Sequence, residues 1–359
     1  MTQRERQILQ WIEENPMISQ QELADRAGIT RSSVAVHISN LMKKGYIAGK
    51  GYVLRSGTYV AAVGGINIDI CGRSFGPLVD RDSNPGHVQM SLGGVGRNIC
   101  HNMSLLGLDV RFLTAFGDDM YAQQIAASCG ELGIDISHAL QVPGGRSSTY
   151  LYLTGPDGDM QLAVSDMDIC EKITPAYLAA NLTLLNNAQV VVADTNLSQE
   201  ALGYLAENCT APLFVDPVST AKAEKLRTLL GSIHTLKPNL LEAELLSGIT
   251  ITDEASLEQA ARKLLSTGMH RVFISLGARG VYAADRQRSV HLPSLPAVMH
   301  NATGAGDAFM AGLVWAYLEG TDLEGTARAG LAASAIAIEG DETINSALSV
   351  ETLRRRMML

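Results

Sequence analysis

The sequence predicts an α/β fold preceded by a small helical head. Three observations carry that reading. Residues 1–56 divide into three short amphipathic stretches and a pair of apolar runs around a glycine-rich tip. Beyond them, runs such as Tyr59–Val63, Val190–Ala193 and Leu213–Val215 are too continuously apolar for a sheet with one wet face, so they belong to strands covered on both sides. Those runs alternate with amphipathic stretches, as strand–helix–strand units do.

At 359 residues, 46% hydrophobic and 18% charged, the chain has the composition of a globular protein of two or three domains, or one large domain and a small one. No apolar run approaches the ~18 residues of a membrane span. Met1–Arg6 leads into no apolar signal segment. The five cysteines, Cys71, Cys100, Cys129, Cys170 and Cys209, are odd in number and form no CxxC pair. That argues for reduced thiols in a cytoplasm, against a disulfide frame or structural zinc. Charge is uneven: residues 1–56 hold eight Lys/Arg and five Asp/Glu, a net +3, which leaves −12 of the total −9 to the rest. A basic head on an acidic body suggests a nucleic-acid-facing module joined to something else.

In the head, Arg4–Glu14 places Ile8, Leu9, Trp11 and Ile12 on one face. Ser19 is an N-cap for Gln20–Ala27, with Glu22 completing a capping box, and Gly28 ends that helix. Thr30 caps Arg31–Lys44, with Val34, Ile38, Leu41 and Met42 inward. Tyr46-Ile47 and Tyr52–Leu54 then flank Gly49-Lys50-Gly51, a hairpin turn. The arrangement resembles a winged helix-turn-helix DNA-binding domain. The resemblance implies that the helix after Thr30 lies in the major groove and the Lys50 tip meets the backbone. Arg31, Ser32, Ser33, His37, Lys43, Lys44 and Lys50 are then the candidate DNA contacts. A helical interaction module with merely solvated basic residues fits the modest charge as well.

Ser56-Gly57-Thr58 reads as the joint, giving domains 1–56 and 57–359. The first strand of the body ends in Gly64-Gly65-Ile66-Asn67-Ile68-Asp69. In open α/β sheets ligands bind beyond such strand ends. Asn67 and Asp69 suit vicinal hydroxyls, although an Asx-rich turn has the same residues. Residues 72–91 are polar and broken by Pro77, Pro85 and Gly86. In Ser91–Ile99, Gly93 and Gly94 permit close backbone approach and Asn98 can face a sugar. No third glycine stands at 99, so this is not a dinucleotide fingerprint. Arg97 reads either as a phosphate clamp or as a solvated helix arginine.

Alternation continues through Val110–Ala115, Met120–Leu132 and a hairpin, Ser148–Thr154 with Met160–Ser165, about Gly155–Gly158. Polar residues recur at the later strand ends: Asp194 and Asn196, then Asp216. Asn239 and Glu242 follow in Thr235–Glu242, and Arg271–Ser275 runs into Ser275-Leu-Gly277-Ala-Arg-Gly280. There is no G-x-x-x-x-G-K-[ST] loop. In Asn301-Ala-Thr-Gly-Ala-Gly-Asp-Ala-Phe-Met-Ala-Gly312, Gly304 and Gly306 let the chain bend into a helix whose first amides have no internal partner. Those amides and the helix dipole make an anion hole. A carboxylate there, Asp307, is explained if it takes a proton from a hydroxyl attacking a phosphoryl group. A glycine-capped helix with an N-terminal Asp is the plainer alternative.

The string T-G-A-G-D-A-F resembles the C-terminal signature of the PfkB (ribokinase-like) carbohydrate kinases. Gly93-Gly94-x-x-x-Asn98 is similar to their N-terminal motif, Asn239-x-x-Glu242 to their N-x-x-E, and Asn67-x-Asp69 to their sugar-binding strand end. The resemblance implies a ribokinase-like α/β/α sandwich with a small β-lid, about 72–91 and 146–166. It implies transfer of the ATP γ-phosphoryl group to a primary sugar hydroxyl. Asp307 would be the base and Gly304, Ala305 and Gly306 the anion hole. Asn67, Asp69, Gly93, Gly94, Asn98, Asp194 and Asn196 would bind substrate. Asn239, Ser275, Gly277 and Gly280 would meet the nucleotide, Glu242 would order the waters of Mg²⁺, and Asp216 would fall in the metal and phosphate region.

The Gly-Gly-Val-Gly-Arg-Asn string, Asp194-x-Asn196 and Thr343–Ser349 look like the pseudouridine kinase branch, so pseudouridine is the first expectation among nucleoside and ribosyl substrates. A ribose- or hexose-type sugar kinase is the alternative, as is a sugar-sensing transcriptional regulator built on the kinase fold; an intact Asp307 and Glu242 argue against a pure sensor. Many relatives carry Asp where this chain has Asn301, which implies weak or absent K⁺ activation. Both resemblances also imply a homodimer.

Overall fold

Tyr59–Val63 is buried at all five positions, and the larger part of the molecule is built around it. The computed structural model describes residues 1–15, 18–47 and 58–359. It divides into two units, Met1–Thr58 and Tyr59–Leu359.

Among the described residues the strands of the larger unit are β1 (Tyr59–Val63), β2 (Asn67–Ser74), β3 (Gly86–Gly93), β4 (Asp109–Leu113), β5 (Ala115–Gly117), β6 (Ile134–Asp135), β7 (Leu140–Val142), β8 (Ser148–Thr154), β9 (Met160–Asp166), β10 (Val191–Asp194), β11 (Leu213–Asp216), β12 (Thr235–Leu236), β13 (Arg271–Ser275), β14 (Val281–Asp285) and β15 (Ser289–Leu292). Nine of them form one sheet in the order β15-β14-β13-β12-β11-β10-β1-β4-β6. From β13 to β6 the pairs are parallel; β14 and β15 add an antiparallel edge.

Alternation explains why β1 reads as one apolar run. Val60 and Ala62 join a core with the helices Val95–Leu105, Ala305–Leu318 and Leu323–Ile338. Tyr59, Ala61 and Val63 join a second core on the opposite face. Successive side chains point to opposite sides of the sheet, and here both sides are covered. The chain leaves β1 outward through β4 and β6, then returns to the other side of β1 at β10. That reversal places a crevice beyond the carboxyl ends of β1 and β10.

A second sheet, ordered β3-β2-β8-β9, is the lid. Asn67–Ser74 is a full strand of it, not the turn that its Asn and Asp suggest. The alternation Ile68, Ile70 against Asp69, Cys71 was in the sequence, but the short Asx spacing masked it. The hairpin strands β8 and β9 lie where the sequence puts them.

In the head, helices cover Gln3–Glu14, Gln20–Ala27 and Arg31–Lys43. Thr2 with Glu5, and Ser19 with Glu22, form capping boxes, while Gly28 takes the left-handed C-cap, φ 63°. Ile8, Ile12, Leu23, Val34, Ile38 and Leu41 make the core. Met42 does not join it and stands 44% exposed. The 34–38–41 stripe keeps the 3.6-residue period, and a further step of four from Ile38 drifts off it. Lys44, a candidate DNA contact, is paired at 2.7 Å with the buried Glu5, and that bond holds the Glu5 carboxyl at about 2. The hairpin expected about Gly49-Lys50-Gly51 lies outside the described residues. No helix among the described residues is long and apolar enough to cross a membrane.

Candidate active site

Four neighbouring strands of the parallel sheet, β10 to β13, each carry a polar residue at or just past the carboxyl end: Asp194, Asp216, Lys237 and Ser275. Asp194, closing β10, is 1% exposed. Its Oδ2 accepts from the Gly65 amide at 2.9 Å and its Oδ1 from the Asn196 amide at 2.8 Å. A Cβ on Gly64 would strike the same carboxylate, so only glycine fits there. Asp194 therefore staples β1 to β10, with both oxygens engaged by backbone rather than presented to a sugar. Asn196 is also engaged: its Oδ1 accepts from Lys222 Nζ at 2.5 Å.

Asn67 Nδ2 donates to Asp69 Oδ1 at 2.6 Å, along the first residues of the lid strand β2. Gly93 pairs with Asn67 in the lid sheet, and a Cβ on it would collide with the Asp69 carboxylate. Gly94 stands at φ 97°, outside the range of ordinary side chains, with Gly65 O and Ile66 against it. Burial raises the Asp69 pKa, against the Asn67 bond and the Arg97 charge. Arg97 is not a solvated surface arginine. It is 7% exposed, and its guanidinium donates to Leu92 O at 3.2 Å and Ser128 Oγ at 3.3 Å.

Beneath the lid lies a cavity of about 780 Å³, lined in part by Asp69, Gln89, Tyr152, Asn301, Thr303 and Asp341. A neighbouring space of about 690 Å³ reaches Arg97 and His101. Asn301 Oδ1 accepts from the Thr303 amide at 2.9 Å and its Nδ2 donates to Asp341 O at 3.2 Å, which fixes the approach to the glycine turn.

That turn ends in Gly304, the N-cap at φ 81°, and the helix starts at Ala305. Among the described residues, no acceptor meets the amides of Gly304, Gly306 and Asp307, while Ala305 N reaches Ala302 O only at 3.5 Å. The open amides are therefore those of Gly304, Gly306 and Asp307, with Asp307 in place of the expected Ala305. Asp307 is the third residue of the helix and accepts from Asn98 Nδ2 at 3.0 Å. Burial, with Asp216 and Asp194 nearby, lifts its pKa to about 8, against the pull of Lys237 and Asn98.

Lys237 was not singled out in the sequence. It stands just after β12, 7% exposed, with Nζ 2.9 Å from Asp216 Oδ2. Burial alone would lower its pKa, but Asp216, Asp307 and Glu242 raise it. A single lysine in the run Thr235-Leu-Lys-Pro, where a strand end should be buried, was the available signal.

Asn239 and Glu242 cap their own helix: Glu242 N donates to Asn239 Oδ1 at 2.9 Å and Asn239 N to Glu242 Oε2 at 2.8 Å. Glu242 is 3% exposed, and burial with Asp216 raises its pKa. Among the described residues no three potential metal ligands cluster. Glu242 beside Asp216 is nonetheless a hard-oxygen donor set, which suits an ion that keeps several waters and is shared with substrate phosphates. Ser275 bridges to Asn239 at the end of β13, and its amide donates to Pro238 O at 2.9 Å. Gly277 at φ 60° and Gly280 at φ 92° then close a tight turn, Gly280 lying against Leu292 O with no room for a Cβ. The geometry thus joins Asn98, Asp216, Lys237, Glu242 and Asp307 in one buried group, with Asn67, Asp69 and the lid on one flank.

Residues 57–350 match the profile of the pfkB family carbohydrate kinases. The chain belongs to that family. As a pfkB-family kinase it is a phosphotransferase acting on a sugar or nucleoside hydroxyl, on a ribokinase-like fold. Residues 1–48 match the profile of a winged helix-turn-helix DNA-binding domain. The chain is 40% identical over 355 residues to the uncharacterized sugar kinase YeiI of Escherichia coli (strain K12), covering 98% of each chain. It is 40% identical over 299 residues to the pseudouridine kinase of the same organism, covering 83% of this chain and 96% of that one. A carbohydrate kinase from Agrobacterium tumefaciens superposes with a TM-score of 0.75 at 27% identity, over 84% of this chain and 98% of that one.

Proposed function

We propose that the protein phosphorylates the 5′-hydroxyl of a ribosyl nucleoside, pseudouridine first, with ATP as donor and Asp307 as general base. One observation carries the chemistry: Asp307 lies buried at the start of a helix with open amides, held by Asn98 and facing the Lys237 charge. The nucleoside preference rests on the identity to the pseudouridine kinase and on a lid cavity of about 780 Å³, large enough for a nucleoside.

In this reading Asn67 and Asp69 orient the ribosyl hydroxyls, and Gly93 and Gly94 let the sugar approach the backbone. The 5′-oxygen attacks the γ-phosphorus while its proton passes to Asp307. The bond from that phosphorus to the β,γ-bridging oxygen breaks and ADP leaves. The amides of Gly304, Gly306 and Asp307 hold the developing charge, worth ~10²–10³-fold per donor where such donors have been removed. The lid excludes water, which would otherwise take the phosphoryl group. Asn239, Ser275, Gly277 and Gly280 form the nucleotide side. Asp194 and Asn196 shape the sugar floor through the backbone they hold. Glu242, through its waters, would hold Mg²⁺, whose chemistry is to neutralise and align the donor phosphates.

A base must be ionised, and the free protein holds Asp307 protonated up to about pH 8. The ratio kcat/KM for the acceptor, which reports ionisation of the free enzyme, should therefore rise with pH up to about 8 and level off above it. With Asn301 neutral, replacing potassium by a bulky organic cation should leave kcat within about twofold, too small a change for an ion that sets catalysis. The head binds DNA through Arg31, Ser32, Ser33, His37 and Lys43, a reading supported by its matched profile.

The deciding experiment is ADP release against a panel of pseudouridine, uridine, other nucleosides, ribose and hexoses. Pseudouridine should give the highest kcat/KM. A hexose or free ribose at the head of the panel would overturn the nucleoside assignment.

A further inference from the structure

We infer that Lys237 is the resident cation for the transferred phosphoryl group: its ammonium completes the anion site begun by the open amides of Gly304, Gly306 and Asp307. The inference rests on the kinase reading and extends it to a residue outside the glycine turn.

Position comes first. A Cβ built on Gly306 would lie 2.9 Å from Lys237 Nζ. The ammonium therefore sits against the second residue of the helix Ala305–Leu318, beside amides with no acceptor. Gly306 is needed there for space rather than for backbone freedom: any side chain would displace the ammonium from the helix start.

Charge comes second. A buried lone ammonium is expensive unless paired, and Asp216 at 2.9 Å pairs it. Among the described residues no other carboxylate lies within 4.0 Å of Nζ, although Asp307 and Glu242 both act on it at longer range. An ammonium has three donors, and Asp216 can take one. A group of carboxylates repels a triphosphate, so a fixed positive charge at the amides is what such an anion needs on arrival.

Backbone strain comes third. Val218, a β-branched residue, stands at φ 63°, and its amide donates to Asp216 Oδ1 at 2.8 Å. A β-branched residue persists in such a conformation only where the surroundings fix it. Here it aims one Asp216 oxygen at backbone and leaves the other for Lys237. Asp216 is thus a positioning residue and Lys237 the group that meets the phosphoryl oxygens.

The test compares the parent with Lys237→Met and with the doubly neutral Lys237→Met/Asp216→Asn. Lys237→Met should lower kcat by at least ~10²-fold and weaken ATP binding, with the calorimetric affinity for the acceptor within about threefold of parental. The double variant removes the orphaned Asp216 charge, so its melting temperature should recover while its kcat stays low. Turnover by either variant within tenfold of the parent would overturn the assignment, the double variant because Lys237 would then only neutralise Asp216. Should Lys237→Met fail to fold, the double variant carries the comparison. A parent inert toward every acceptor would instead defeat the kinase reading itself.

Discussion

Asp307 is kept as an acid by its surroundings, and the sign of that effect gives a test independent of turnover. Its folded pKa of about 8 lies far above the ~4 of an exposed aspartate. Between those values the folded chain binds a proton that the unfolded chain has lost, so stability falls as pH rises through that window. Asp307→Asn should therefore raise the melting temperature at pH 8 by at least ~2 °C and much less at pH 5, read by scanning calorimetry. Asn98→Ala removes a donor that favours the charged form. The acid limb of the profile of kcat/KM against pH should then move to higher pH, and an unmoved limb would place the Asn98 effect elsewhere. At this scale the sequence revealed residues whose chemistry sits inside a spaced motif, Asp307, Asn98 and Glu242. It concealed those defined by burial: Lys237 has no motif of its own, and Arg97 could not be told from a surface arginine until Leu92 O and Ser128 were placed beside it.

The glycine turn and the lid are the elements that make the site. Gly304 combines φ 81° with a Thr343 carbonyl where a Cβ would go. Gly304→Ala should cost ~1–3 kcal/mol and lower both the melting temperature and kcat, since the strained residue starts the helix that carries the amides. An alanine variant with parental stability would show that the turn relaxes freely. Parallel strands and capped helices were legible because each rests on a local pattern: the apolar run of Tyr59–Val63, the Ser19–Glu22 box, the Gly28 stop. The lid strand Asn67–Ser74 was not, because its polar residues face a cavity rather than water. Alternation then looks like a turn rather than a half-buried strand.

At the scale of the whole molecule, two units with separate cores imply separable stability. A chain beginning at residue 59 should fold and keep kcat within about twofold, and a tenfold loss would mean that the head supports the site. We propose the outer face of the lid as the surface on which the homodimer implied by the resemblance would form. Val88, Leu162 and Val164 project 60–73% exposed from one lid sheet, with Leu151 opposite Val164 on the same face. Leu162→Glu should shift sedimentation toward a monomer if that face pairs with a second copy. The account as a whole stands or falls on one carboxylate. The direct measurement is the turnover of Asp307→Asn with ATP and the preferred nucleoside, alongside calorimetric binding of that nucleoside. The account predicts unchanged binding and a loss of at least ~10²–10⁴-fold in kcat, whereas parental turnover by the variant would contradict it.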